Sequence, residues 1–146
     1  MSEIIFVCTG NTCRSPMAAA LAAAIFAREG LDFSVSSCGV CAGNSAANKN
    51  AILAMQAQKL DLASHKSQPA TKELLESAAL VLTMTRSHLS QVKAICPTAA
   101  AFTLGEFSET LADVLDPFGG NLDEYLSCAA QIKKLLEASL EKFRGM

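Results

Sequence analysis

The first 30 residues constrain the fold more than any other part of the chain. Residues 3–8, EIIFVC, form a short apolar run rich in β-branched side chains, the pattern of a strand covered on both faces. The run ends at Cys8, turns through Thr9, Gly10, Asn11 and Thr12, and reaches Cys13 and Arg14 just as an alanine-rich helical pattern begins. Ser15 and Pro16 suit a helix opening, because serine caps orphan amides and proline fits the first helical position. Met17, Leu21 and Ile25 then recur at helical spacing until Gly30 stops the run.

The remainder keeps alternating. Residues 32–40 predict a second strand, and 48–60 carry a helical pattern through Ile52, Met55 and Leu60. Residues 61–70 are polar and contain Pro69, so they read as a loop. A short helix over 71–78, with Thr71 as its cap, leads into a third strand over 79–85. A helix over 87–95 and a fourth strand over 100–107 follow, then a turn-rich loop over 108–120. Leu122, Tyr125, Leu126, Ala129, Ile132, Leu135, Leu136 and Leu140 trace the apolar stripe of a long closing helix. Strands alternating with helices imply an α/β fold of three layers, a doubly wound four-stranded parallel sheet, formed by a single domain spanning 1–146. Such sheets bind ligands at the carboxyl ends of their strands, which is where Cys8 falls.

Composition narrows the function classes. The chain has 146 residues, 51% hydrophobic and 18% charged, enough for one core without disulfide staples. A formal net charge of -2 argues against nucleic-acid or membrane-surface partners, which call for a basic face. The apolar stretch from Met17 to Ala27 is too short to cross a bilayer, and the start does not resemble a signal peptide. The six cysteines are therefore read as thiols in a reducing cytoplasm.

A strand, a glycine-containing loop and a helix N-terminus bring backbone amides into one concavity, with the helix dipole adding partial positive charge. That is an anion site. Arg14 can clamp two oxygens of a phosphoryl group, and the same surroundings favour the thiolate of Cys8, lowering its expected pKa. Ser15 is expected to donate to that sulfur, and Asn11, tolerant of left-handed angles, to hold the loop. The plainer reading of Cys8 is a small buried hydrophobe. In the loop over 108–120, Asp113 and Asp116 are rival candidate acids, and turn or cap roles suit either.

With these residues in view, the chain closely resembles the low-molecular-weight protein tyrosine phosphatase family. VCTGNTCRSPMA matches that family's phosphate-loop signature, and DVLDPFGG, residues 113–120, resembles its acid loop. The resemblance spans essentially the whole chain. It implies a two-step phosphomonoesterase without metal or cofactor, acting on a phosphorylated protein and releasing inorganic phosphate. Cys8 would be the nucleophile, Arg14 and the loop amides would bind the phosphoryl oxygens, and Asp116 would be the acid and then the base. Thr9, Gly10, Asn11, Thr12, Cys13 and Ser15 would form the substrate loop. Pro117 would set the backbone after Asp116, Phe118 would wall the entrance, and Gly119 and Gly120 would let the loop turn.

Thr12 looks like the protein-arginine phosphatase branch, where phosphotyrosine-directed relatives often carry a larger aliphatic residue. Phe118 followed by two glycines also departs from the paired aromatics of tyrosine-specific relatives. Phosphoarginine is thus the expected substrate, with phosphotyrosine as the alternative. Arsenate reduction and mere phosphoprotein docking are further rivals: the first calls for two more clustered cysteines, the second for neither Cys8 nor Asp116. Oxidation could join Cys8 to Cys13. Cys38 and Cys41 form a lone CxxC without further ligands, and Cys96 and Cys128 read as core or boundary residues. His65 and His88, in polar sequence, are expected at the surface.

Overall fold

The computed structural model describes residues 2–146. Four strands form one parallel sheet in the order β2-β1-β3-β4: β1 (Ser2–Cys8), β2 (Phe33–Gly39), β3 (Leu80–Thr83) and β4 (Ala101–Thr103). Its strands are short, and β1 at the centre is buried along most of its length, which is why EIIFVC reads as continuous rather than alternating. Ile4 and Phe6 face one core with Met17, Leu21, Leu82 and Ile132, whereas Ile5 and Val7 face a second with Leu75, Val81 and Val92. Period-two alternation thus splits one apolar run between two layers.

Helices cover both faces: α1 (Arg14–Glu29), α2 (Lys49–Gln56), α3 (Lys72–Ser77), α4 (Arg86–Ile95), α5 (Leu104–Phe107), α6 (Leu122–Ala138) and α7 (Leu140–Arg144). Gly30, left-handed at φ 68°, closes α1 as the sequence implies. Thr71 caps α3 by accepting from the Leu74 amide.

Three expectations change. The strand expected over 100–107 ends at Thr103, because Thr103 and Glu106 form a reciprocal capping box that opens α5 instead. The second helix stops at Gln56 rather than continuing to 60, where Lys59 adopts a left-handed φ of 61°. The closing helix is two helices: the chain breaks at buried Ser139, whose hydroxyl donates to the Leu135 carbonyl at 2.8 Å. The break turns Phe143 back against Phe26, with ring centroids 4.9 Å apart at a near-perpendicular 78°. Among the described residues, no helix is long and apolar enough to cross a membrane.

Candidate active site

β1 delivers Cys8 at its carboxyl end, and the chain enters α1 six residues later. Cys13 occupies the N-cap of α1 without a side-chain cap bond, so the serine cap expected at the helix opening is absent. Ser15 is drawn elsewhere: its hydroxyl lies 2.9 Å from Cys8 Sγ. Asn11 Nδ2 donates to Ser15 Oγ at 2.7 Å, which frees the serine hydrogen for a second acceptor. The sulfur is nearer than the rival acceptor, the Cys38 carbonyl at 3.4 Å.

Asn11 organises the loop. It is fully buried with a left-handed φ of 57°, a conformation asparagine tolerates. Besides Ser15, its amide donates to Ser37 Oγ at 2.9 Å, and its Oδ1 accepts from the Gln68 amide at 3.0 Å. His65 Nε2 donates to its backbone carbonyl at 2.7 Å. Gly39, at the end of β2, lets the loop sit this low, since a Cβ there would meet the Thr9 carbonyl at 2.5 Å and the Asn11 amide at 2.9 Å.

These bonds hold the loop while leaving its amides free. Among the described residues, the backbone N–H groups of residues 9–15 donate to no protein acceptor. Amides without partners, joined to an uncapped helix N-terminus, make an anion receptor. A cleft of about 230 Å³ opens over them, lined by Cys8, Thr9, Gly10, Thr12, Cys13, Arg14, Asp116 and Phe118. A larger hollow of about 450 Å³ adjoins it on the far side of Asp116, but contains none of the loop residues.

Arg14 is buried and links the two loops. Its Nη1 donates to the Val114 carbonyl at 3.0 Å, and Nη2 lies 3.5 Å from Asp116 Oδ2. Val114 is pinned from the other side, its amide donating to the Met84 carbonyl at the end of β3. Asp116 Oδ1 accepts from the Phe118 amide at 3.0 Å, so the carboxylate is turned by its own loop. Its side chain remains 54% exposed and can meet both substrate and water. Asp113 is engaged elsewhere, accepting from the Arg86 amide at 3.2 Å and pairing with the Arg86 guanidinium.

Both histidines depart from the surface positions expected of them. His65 is half-buried under Asn11, and His88 is 4% exposed with Nε2 2.8 Å from Thr9 Oγ1. Burial first, and then the Arg14 charge, push the His88 pKa down to about 4. Ser37, Gln68, Val114 and Tyr125 also escape a sequence reading, since each meets the loop from a distant element. Tyr125 OH lies 3.3 Å from Cys13 Sγ, and burial raises the pKa of both groups. Burial likewise pushes Cys38 and Cys128 up to about 12. Of the lone CxxC, Cys38 is buried and Cys41 exposed.

Comparison with known proteins agrees with this architecture. Residues 3–144 match the family model described as low molecular weight phosphotyrosine protein phosphatase. The chain is 46% identical over 138 residues to the protein-arginine-phosphatase of Bacillus subtilis, covering 92% of this chain and 91% of that protein. It is 33% identical to the low molecular weight protein-tyrosine-phosphatase PtpB of Staphylococcus haemolyticus, covering 92% and 94%. It also superposes with a TM-score of 0.93 on the YwlE arginine phosphatase in a mutant with a phosphorylated active-site serine, at 42% identity over 97% of this chain and 95% of that one. The sheet, the loop and the cleft thus define a cysteine-based protein phosphatase. The chain belongs to the low molecular weight phosphotyrosine protein phosphatase family.

Proposed function

We propose that the protein hydrolyses phosphoarginine in proteins through a phosphocysteine intermediate. The observation that carries this is the set of unpartnered amides over residues 9–15, arranged around Cys8 and closed by Arg14 and Asp116. Cys8 sulfur attacks phosphorus while the amides and the Arg14 guanidinium bind the phosphoryl oxygens, favouring the spread of charge in the transition state. Asp116 gives its proton to the departing guanidino nitrogen. In the second step Asp116, now a carboxylate, takes a proton from water. That water attacks phosphorus, the P–S bond breaks, and inorganic phosphate leaves. Ser15 assists both steps by donating to the sulfur as nucleophile and as leaving group.

The phosphorylated serine in the related YwlE mutant supports a covalent phosphoenzyme in this reaction. Two curated relatives named protein-arginine-phosphatase, 46% and 37% identical, support the arginine substrate, as does the small hydroxylated Thr12 on the cleft wall. Phe118, 73% exposed at the rim, favours the second reading, phosphotyrosine, because its ring can stack on an aryl group. Because the mechanism needs Cys8 as a free thiol, the reading includes a reducing, cytoplasmic setting. The net charge of -2 supports a reading without a nucleic-acid or membrane partner.

The test compares kcat/KM for phosphoarginine and phosphotyrosine peptides in wild type and Thr12→Ile. Wild type is expected to favour phosphoarginine, with a shift of about tenfold or more towards phosphotyrosine in the variant. Wild-type preference for phosphotyrosine would turn the assignment to the second reading.

A further inference from the structure

The cleft wall carries a second hydroxyl, on Thr9, and a buried group that the reaction does not use stands behind it. Thr9 is exposed at the mouth of the cleft, yet its Oγ1 lies 2.8 Å from Nε2 of His88, on a ring that is 4% exposed. The His88 backbone is anchored, its amide donating to the hydroxyl of the cap residue Thr85 at the start of α4, and the ring it carries is enclosed. Among the described residues Thr9 is the only hydrogen-bond partner of the imidazole, since Nδ1 is buried without one. For packing alone, leucine or phenylalanine would fill this space without a stranded polar atom. The ring's polarity is therefore directed at Thr9.

A threonine hydroxyl has one hydrogen and two lone pairs. His88 occupies either the hydrogen or one lone pair, so at least one lone pair stays open in either tautomer. A guanidino leaving group carries N–H donors and needs acceptors. The groups whose charge reaches His88 are Arg14 from α1 and Asp116 and Asp113 from the acid loop. Burial and Arg14 outweigh the two carboxylates, so the ring is uncharged at neutral pH. An imidazolium behind Thr9 would oppose a cationic guanidino group, and a neutral ring does not.

We propose that Thr9 is a specificity-determining residue, its hydroxyl held by the positioning residue His88 so that it accepts a hydrogen bond from the guanidino group of the substrate. The inference rests on the phosphoarginine reading and adds the residue pair that recognises the leaving group. Thr12 lines the same cleft, so two threonine hydroxyls belong to its lining together with Phe118.

The test is the ratio of kcat/KM for a phosphoarginine peptide to that for para-nitrophenyl phosphate. Thr9→Val, which keeps the shape and removes the hydroxyl, is expected to lower this ratio about tenfold, through the KM of the peptide. Thr9→Ser, which restores the hydroxyl, is expected to return it to within about threefold of wild type. His88→Phe should move the ratio the same way, and the double variant Thr9→Val with His88→Phe no further than the larger single change. Thr9 is exposed, so its variants carry the test even where His88→Phe fails to fold. A Thr9→Val ratio within about twofold of wild type overturns the proposal, as do losses that multiply in the double variant. If wild type prefers phosphoarginine and Thr9→Val keeps the ratio, this inference alone fails. If wild type turns over phosphotyrosine peptides and not phosphoarginine, the substrate reading fails and this inference with it.

Discussion

The phosphate loop, residues 8–15, and the acid loop, residues 108–120, face one cleft but are held by different means. Asn11, Ser15 and Arg14 are buried and bonded to three other segments of the chain, so the phosphate loop has one arrangement. The acid loop has a few anchors, chiefly buried Val114, while Leu111, Leu115 and Phe118 are each at least 70% exposed. Glu109 and Leu111 both take left-handed φ, near 65°, without glycine's freedom. The difference follows from the two jobs. An anion receptor gains most when its donors are fixed in advance, because no reorganisation is then needed as charge shifts in the transition state. An acid that serves a leaving group and then a water must be reachable by both.

The largest effect should come from the fixed loop. Cys8→Ser is expected to lower kcat by at least about a thousandfold while inorganic phosphate still binds by calorimetry, since the amides remain. Loss of binding along with turnover would show that the sulfur, not the amide cradle, carries recognition. In the acid loop, Asp116→Asn should lower kcat about a hundredfold or more, and Asp113→Asn within about threefold, measured on one phosphopeptide. The reverse order would make the Arg86-bound aspartate the acid and dissolve the contrast drawn between the two loops.

A stability test sharpens the same contrast. Asn11→Ala removes three side-chain hydrogen bonds, two of them buried, and is expected to cost about 2–4 kcal/mol in urea unfolding, alongside loss of activity. Leu115→Ala, at a 78% exposed site in the acid loop, should change stability by less than about 0.5 kcal/mol. Equal losses at both positions would mean that the acid loop is as tightly determined as its partner.

The remaining effect lies in acid pH. The His88 pKa falls from an ordinary 6.5 to about 4 on folding. Above pH 6.5 the ring is neutral in both states and contributes no slope. Between 6.5 and about 4 the unfolded chain binds a proton that the folded chain excludes, so stability falls as pH falls. The loss levels off below the folded value, after roughly 3 kcal/mol at most. Urea midpoints from pH 7 to 4.5 should therefore drop less steeply in His88→Gln than in wild type. Parallel slopes would remove the histidine from the account.

Much of this was legible before folding. The β-branched run to Cys8, the glycine loop and the alanine-rich helix announce a parallel sheet with an anion site at a strand end, and Gly30 marks the helix stop. The fourth strand is shorter than the sequence suggests even though the Thr103 and Glu106 capping box is a local signal, because the apolar residues around it also suit a strand. His65 and His88 depart from their sequence pattern for a different reason. Their polar neighbours in sequence face solvent, while the imidazoles turn inward to partners 54 and 79 positions away.

By itself, then, the sequence determined the strand, loop and helix that present Cys8 and Arg14, since propensity and turn chemistry act over a few residues. Tertiary packing decided the rest: that Asp116 meets Arg14 while Asp113 meets Arg86, that Ser37, His65 and Gln68 converge on Asn11, and that a neutral imidazole stands behind Thr9. Those pairings depend on which strand ends the sheet brings side by side, and no local preference along the chain encodes that adjacency.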